Sequence, residues 1–196
     1  MTEVKILIKG YAKEEKDFEL VSCTTTLIKE SDLNIIVDPG MNRKLLLEAL
    51  KKNNLSPLSI NYVILTHYHL DHSLLAGIFE NAKIFDNSNI YLFDGKIESH
   101  EGKIPGTNIE ILKTPGHDMS HCSVLVDTKE YGKVAIVADV FWWSDDEEQK
   151  IDRESLMAHK DPYMKNEEEL MKSRKKVLEI ADYIIPGHGD MFKVEK

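Results

Sequence analysis

The run Thr66-His67-Tyr68-His69-Leu70-Asp71-His72 packs three imidazoles and a carboxylate into a few consecutive positions. Imidazole and carboxylate at such density suit Zn²⁺, Fe or Mn²⁺. In an extended chain, residues two apart point to the same side. His67, His69 and Asp71 are therefore expected to project together, with His72 turned toward a neighbouring ion. The competing reading is a polar loop that happens to hold three histidines, and the crowding of ligand types argues against it. Three later pieces add to the run. Thr114-Pro115-Gly116-His117 and Pro186-Gly187-His188-Gly189 each place a histidine after a strand-like segment, and Val137-Ala138-Asp139 ends one on a carboxylate. Alone, each reads as well as a turn residue. Together, each ends a predicted strand, so all four pieces can meet at one edge of the sheets.

The segments that must position these groups are legible as periodicity. Residues 4–8 alternate apolar and polar side chains like a half-buried strand. Residues 20–28, 33–37, 60–65, 84–85, 90–93, 109–112, 123–126, 134–138 and 183–185 are further strand candidates. Asp38-Pro39-Gly40 is a turn signal. Residues 42–52 and 167–181 carry helix spacing, the first with Asn42 as its cap. A short helix is expected at 73–79. Many strands with a few helices between and after them predict two sheets with helices outside. No repeat, low-complexity tract or linker divides the chain, which predicts one domain over residues 1–196.

The order of the ligand types resembles the metallo-β-lactamase superfamily. An early Asp38 in Asp-Pro-Gly is followed by His-x-His-x-Asp-His, then His, Asp and His, from Asp38 to His188. The resemblance implies an α+β fold, a four-layer αββα sandwich with the site at one end of two mixed sheets. It implies that His67, His69 and His117 hold one metal ion, that Asp71, His72 and His188 hold a second, and that Asp139 bridges them. It implies two divalent ions per chain, zinc first, with iron or manganese as alternatives. Asp38 would brace the metal loops from behind. His121, in a Gly-His-x-x-x-His pattern, would be structural or support a ligand. Asp71 would also orient the attacking water or carry its proton. The implied activity is hydrolysis of an ester, thioester, lactone or phosphodiester. Alternatives within the superfamily are a nuclease acting on single-stranded RNA or DNA and a mononuclear iron persulfide dioxygenase. A metal-stapled binding module is the non-enzymatic alternative; structural zinc sites favour Cys, which this ligand set lacks.

Composition narrows the partners. The 196 residues are 42% hydrophobic and 30% charged, with a formal net charge of −9. Nucleic-acid binders carry a basic footprint, so a small-molecule substrate is expected over nucleic acid. No apolar run is long enough to span a bilayer, and the N-terminus lacks a signal-peptide layout, which together predict a cytoplasmic protein. Cys23 and Cys122 read as buried thiols, with Cys122 also open to a place beside the site. The basic run 172–176 after Glu167-Glu168-Glu169 reads as a solvated helix face. His100 is expected at the surface.

Phe141-Trp142-Trp143 directly follow Asp139 and are expected either to pack in the core or to wall the substrate. His159 and Tyr163 are placed on the same side, His159 with surface exposure as the competing reading. Short intervals around the bridging Asp and the eight residues after His188 fit compact members without large appendages.

Overall fold

The computed structural model describes residues 2–195. Its strands are β1 (Thr2–Ile8), β2 (Tyr11–Glu14), β3 (Glu19–Ser22), β4 (Thr25–Glu30), β5 (Leu33–Val37), β6 (Tyr62–Ile64), β7 (Lys83–Phe85), β8 (Asn89–Tyr91), β9 (Ile97–Ser99), β10 (Glu110–Lys113), β11 (Cys122–Thr128), β12 (Gly132–Ala138), β13 (Tyr183–Pro186) and β14 (Phe192–Lys193). Its helices are α1 (Arg43–Lys52), α2 (Leu70–Ser73), α3 (Arg153–Ala158) and α4 (Glu167–Ile180). One sheet runs β1-β4-β5-β6-β7-β8-β9, a second β10-β11-β12-β13-β14, and β2-β3 form a separate hairpin.

The layers follow from which faces are apolar. Ile28, Ile35, Val37 and Ile64 of the first sheet meet Val124, Val126, Val134 and Ile136 of the second in one core cluster. The outer face of the first sheet covers Leu46 and Leu50 of α1. The outer face of the second covers Leu170, Val177 and Leu178 of α4. This is the expected αββα order. Both sheets are mixed: β5-β6-β7 and β12-β13 run parallel, and their other neighbours antiparallel. Asn42 caps α1 as expected, its Oδ1 accepting from Leu45 N at 3.2 Å, and Asn166 caps α4 in the same way. Among the described residues, no helix is long and apolar enough to cross a membrane.

Four expectations are corrected. The run 20–28 is two strands, β3 and β4. The chain breaks at Cys23 and Thr24, whose amides leave the sheets for Asp71 O and Gly187 O at 3.1 and 2.6 Å. The helix expected at 73–79 begins earlier, as α2, and its later part is a 3₁₀ turn at Ala76–Ile78. Asp71 and His72 are thus helical, so the alternation that grouped Asp71 with His67 and His69 does not hold there. The basic run on α4 is also not all solvated. Lys172 pairs with Glu168 and Glu169 in water. Arg174 instead is buried, stacking on Phe141 and donating to Val140 O and His159 O. Strands β2, β9 and β14 and helix α3 carried no readable period.

One close approach seats α4. Lys165 N and Asn166 N donate to Gly116 O at 2.8 and 2.9 Å, and a Cβ on Gly116 would overlap the Leu170 backbone. Gly116 also has φ +138°, a conformation other residues rarely adopt. Gly116→Ala is expected to destabilise the chain by about 1–3 kcal/mol or more, read as a lower denaturant midpoint. An unchanged midpoint contradicts this packing.

Candidate metal centre

Five strands deliver the site. β5 and β6 are parallel neighbours, as are β12 and β13, and β10 runs parallel to β12 across β11. Their C-terminal ends therefore share one edge. Asp38 follows β5, Thr66 and His67 follow β6, Pro115-Gly116-His117 follow β10, Asp139 follows β12, and His188 follows β13. Two bonds tie the sheets together there: Cys122 N donates to Thr66 O at 2.8 Å, and Thr24 N to Gly187 O. Asp38 and Ala138 sit at φ 49° and 43°. Non-glycine residues held in that region store strain that the surrounding contacts must hold, and such strain clusters at functional sites.

The donors converge in two groups. His67, His69, His117 and Asp139 offer atoms within 4.8 Å of one another, and so do Asp71, His72 and His188. Asp139 faces both. Its Oδ2 lies 3.3 Å from His117 Nε2 and 3.6 Å from His67 Nε2, and its Oδ1 lies 3.2 Å from His72 Nε2 and 3.9 Å from His188 Nε2. Gly187 makes this possible, because a Cβ there would overlap Asp139 Oδ1. All seven expected ligand residues are brought together.

Outer partners turn the rings inward. His67 Nδ1 meets Thr66 Oγ1 at 3.0 Å, His72 Nδ1 meets Asp38 Oδ2 at 2.8 Å, and His188 Nδ1 meets Tyr11 O at 3.2 Å. His117 Nδ1 meets Asp161 Oδ2 at 2.6 Å. Each leaves Nε2 facing the cluster; His69 instead presents Nδ1, 3.1 Å from His117 Nε2. Asp38 braces the loop as expected, also accepting from Thr66 N at 2.9 Å and Thr66 Oγ1 at 2.7 Å. His121 lies outside both groups. Its Nδ1 meets Thr114 Oγ1 and its ring packs 5.0 Å from His67.

The protein groups alone leave the rings in different charge states, and a cation would displace the proton that Asp139 draws onto His72. Burial holds His67 well below its ordinary value, so its ring is neutral, and takes His121 down to about 3. Burial opposes charge on His72 and Asp139, but their mutual attraction outweighs it. His72 is held well above its usual range and Asp139 well below. His67 Nε2, His72 Nε2 and Asp139 Oδ1 are buried without a hydrogen-bond partner of good geometry. Buried polar atoms left so are costly, and a cation in each donor group would satisfy them.

A cleft of about 480 Å³ opens onto the cluster. His69, Asp71, His117, Asp139 and His188 form its floor, Leu20, Val21 and Leu70 one side, and Trp142 and Tyr163 the other. Two of the five expected pocket residues therefore line it. Phe141 and Trp143 are instead buried in the core cluster against α4. Successive residues after a strand end cannot all face one cavity, and these two turn inward. His159 lies off the cleft and is half-buried; its Nε2 contacts Trp142 O at 2.5 Å. His100 is half-buried too, its Nε2 meeting Asp86 O at 3.0 Å. Both cysteines are buried and free. Cys23 lies beside Asp38 and His72, where burial pushes its thiol up to about 12. Cys122 donates to Leu65 O instead. Three contributors carried no signal in the sequence: Asp161 lies far along the chain in an irregular loop, Tyr11 acts through its backbone, and Asp86 accepts from Tyr68, the residue between His67 and His69.

Comparison with known proteins agrees with this geometry. Residues 19–87 match the model of the Metallo-beta-lactamase superfamily. Metallo-beta-lactamase domain-containing protein 1 of Xenopus laevis is 31% identical over 203 residues, covering 98% of this chain and 82% of the frog protein. The chain belongs to the metallo-β-lactamase superfamily. The human protein of the same description is 34% identical over 169 residues, covering 82% of this chain and 59% of its own length. The chain thus spans less than two thirds of that mammalian relative. A Thermotoga maritima crystal structure described as a metallo-beta-lactamase overlays with a TM-score of 0.73 at 24% identity, covering 98% of this chain and 99% of that one. A dizinc quorum-quenching lactonase in complex with its product overlays at 0.66 with 17% identity, covering 87% and 73%. The superfamily is metal-dependent, and the chain is a hydrolase of it.

Because Asp38 holds both Thr66 and His72, Asp38→Asn is expected to weaken Zn²⁺ binding about 10–100-fold, read by chelator competition. Native affinity in the variant contradicts the bracing role.

Proposed function

We propose that the chain is a dinuclear metallohydrolase that cleaves an ester, thioester or lactone carrying an apolar acyl group. The observation that carries this reading is Asp139, whose two oxygens face two separate donor groups. His67, His69 and His117 would hold one divalent ion, Asp71, His72 and His188 the other, with Asp139 shared. Zinc suits this donor set, as do iron and manganese. Bound ions of this kind lower the pKa of water toward neutrality and polarise a scissile carbonyl.

The chain's own groups do the rest. Asp71 is the more exposed ligand-type carboxylate, its side chain 16% accessible against 6% for Asp139. It reaches the cleft floor and is placed to orient the attacking water and take its proton. His188 Nε2 lies 3.2 Å from Asp71 Oδ2, so both atoms would meet the same ion. Leu20, Val21, Leu70, Trp142 and Tyr163 supply an apolar trough for the acyl part and exclude water from it.

The same lining disfavours a phosphodiester. Among the described residues, Lys13 is the cation that lines the cleft, beside Glu14 and Glu19, and the net charge of −9 repels polyanions. The persulfide reading needs chemistry at one iron and leaves the second donor group without a role.

A series of neutral esters of increasing acyl length tests the reading. Each methylene entering the trough contributes about 0.8 kcal/mol, so kcat/KM is expected to rise about fourfold per step until the trough is full. Leu20→Asp flattens that rise. Cleavage of single-stranded RNA without turnover of any ester contradicts the proposal.

A further inference from the structure

His117 is held from both sides. Its Nε2 faces His69 Nδ1 at 3.1 Å and Asp139 Oδ2 at 3.3 Å. Its Nδ1 lies 2.6 Å from Asp161 Oδ2. An ionised carboxylate only accepts, so the proton of that contact belongs to Nδ1, the shorter of the ring's two carboxylate contacts, and a neutral ring then keeps its Nε2 lone pair for the cluster. Asp161 is 3% exposed and cannot exchange this contact for bulk water.

The second oxygen of Asp161 has a different client. Oδ1 accepts from Tyr163 N at 3.0 Å. Tyr163 lines the cleft opposite the hairpin, its ring 5.7 Å from Trp142. The loop around Asp161 is clamped at both ends. Before it, buried Arg174 Nη1 donates to His159 O. After it, Lys165 N donates to Gly116 O at 2.8 Å and to His117 O at 3.1 Å. A carboxylate with one oxygen on a ligand-type imidazole and the other on a substrate-wall residue sits in a loop fixed at each end.

We infer that Asp161 is a positioning residue: it fixes His117 as the Nδ1–H tautomer and the same carboxylate anchors the Tyr163 wall of the cleft. Its consequence for metal binding rests on the reading of His117 as a ligand. The Nδ1–H contact with Asp161 does not, because it is made between protein groups and is the shorter of the two carboxylate contacts of the ring. The orientation of His117 and the Tyr163 side of the trough are thereby coupled through one side chain, which a neutral amide or a shortened residue would uncouple.

The test is the full-length chain, its Asp161→Asn and Asp161→Glu variants, and Tyr163→Ala as a comparison. Two quantities are read: the ¹H–¹⁵N signature of the His117 ring without added metal, and Zn²⁺ affinity by chelator competition. The native ring is expected in the Nδ1–H form. Asp161→Asn shifts it toward the other tautomer and weakens Zn²⁺ about 10–100-fold, with kcat falling and KM rising together. Asp161→Glu, which keeps the charge, recovers part of each. Tyr163→Ala raises KM and leaves tautomer and Zn²⁺ affinity as in the native chain. A native His117 protonated on Nε2 overturns the inference, as does Asp161→Asn with native tautomer and native Zn²⁺ affinity. A native Nδ1–H ring in a chain that binds no Zn²⁺ supports the role of Asp161 and contradicts the metal reading instead. If Asp161→Asn does not fold, the native tautomer and the Asp161→Glu affinity decide the matter.

Discussion

The carboxylate of Asp139 stands between two sets of imidazoles, buried, and the rest of the molecule is arranged around keeping it there. Its Oδ1 and Oδ2 each face a different donor group. Buried nitrogens and oxygens without partners are costly, and a chain that crowds them needs strong geometry elsewhere to stay folded. That geometry is visible. Gly187 has no side chain where one would strike Asp139, and Ala138 takes a left-handed conformation to turn the carboxylate inward. The two sheets hold this turn in place through the parallel pairing of β12 with β13.

The outer partners extend the same constraint outward. Thr66, Asp38, Asp161 and the Tyr11 carbonyl each hold an Nδ1, so the inward nitrogens are fixed before any ion arrives. Such preorganisation is what tunes a metal site beyond its direct ligands. The two walls of the cleft share these anchors. The hairpin reaches His188 through Tyr11, and the aromatic side reaches His117 through the Asp161 loop. A substrate pressed against either wall therefore lies against groups one bond from a ligand.

Much of this was legible in the sequence, for identifiable reasons. Strand periodicity marked β5, β6, β10, β12 and β13, and ligand types at their ends marked the site residues from His67 to His188. The αββα layering followed from strand and helix order together with the superfamily resemblance. What stayed hidden involves contacts that leave no local period. Asp161 reaches His117 across 44 positions, and Tyr11 contributes only a carbonyl. The split of the 20–28 run at Cys23 comes from bonds to Asp71 and Gly187, which no β-propensity reveals. The alternation rule failed at Asp71 because α2 begins one residue before it. Phe141 and Trp143 were equally aromatic candidates for the cleft, and packing against α4 decided for the core.

The central claim is that Asp139 joins two metal sites in one centre. The direct measurement is elemental analysis of the refolded native chain and Asp139→Ala after Zn²⁺ loading and removal of free ion. Two equivalents in the native chain, with marked loss in the variant while circular dichroism stays native, is the predicted result. A native chain retaining only trace metal, or a variant retaining as much as the native chain, contradicts the account.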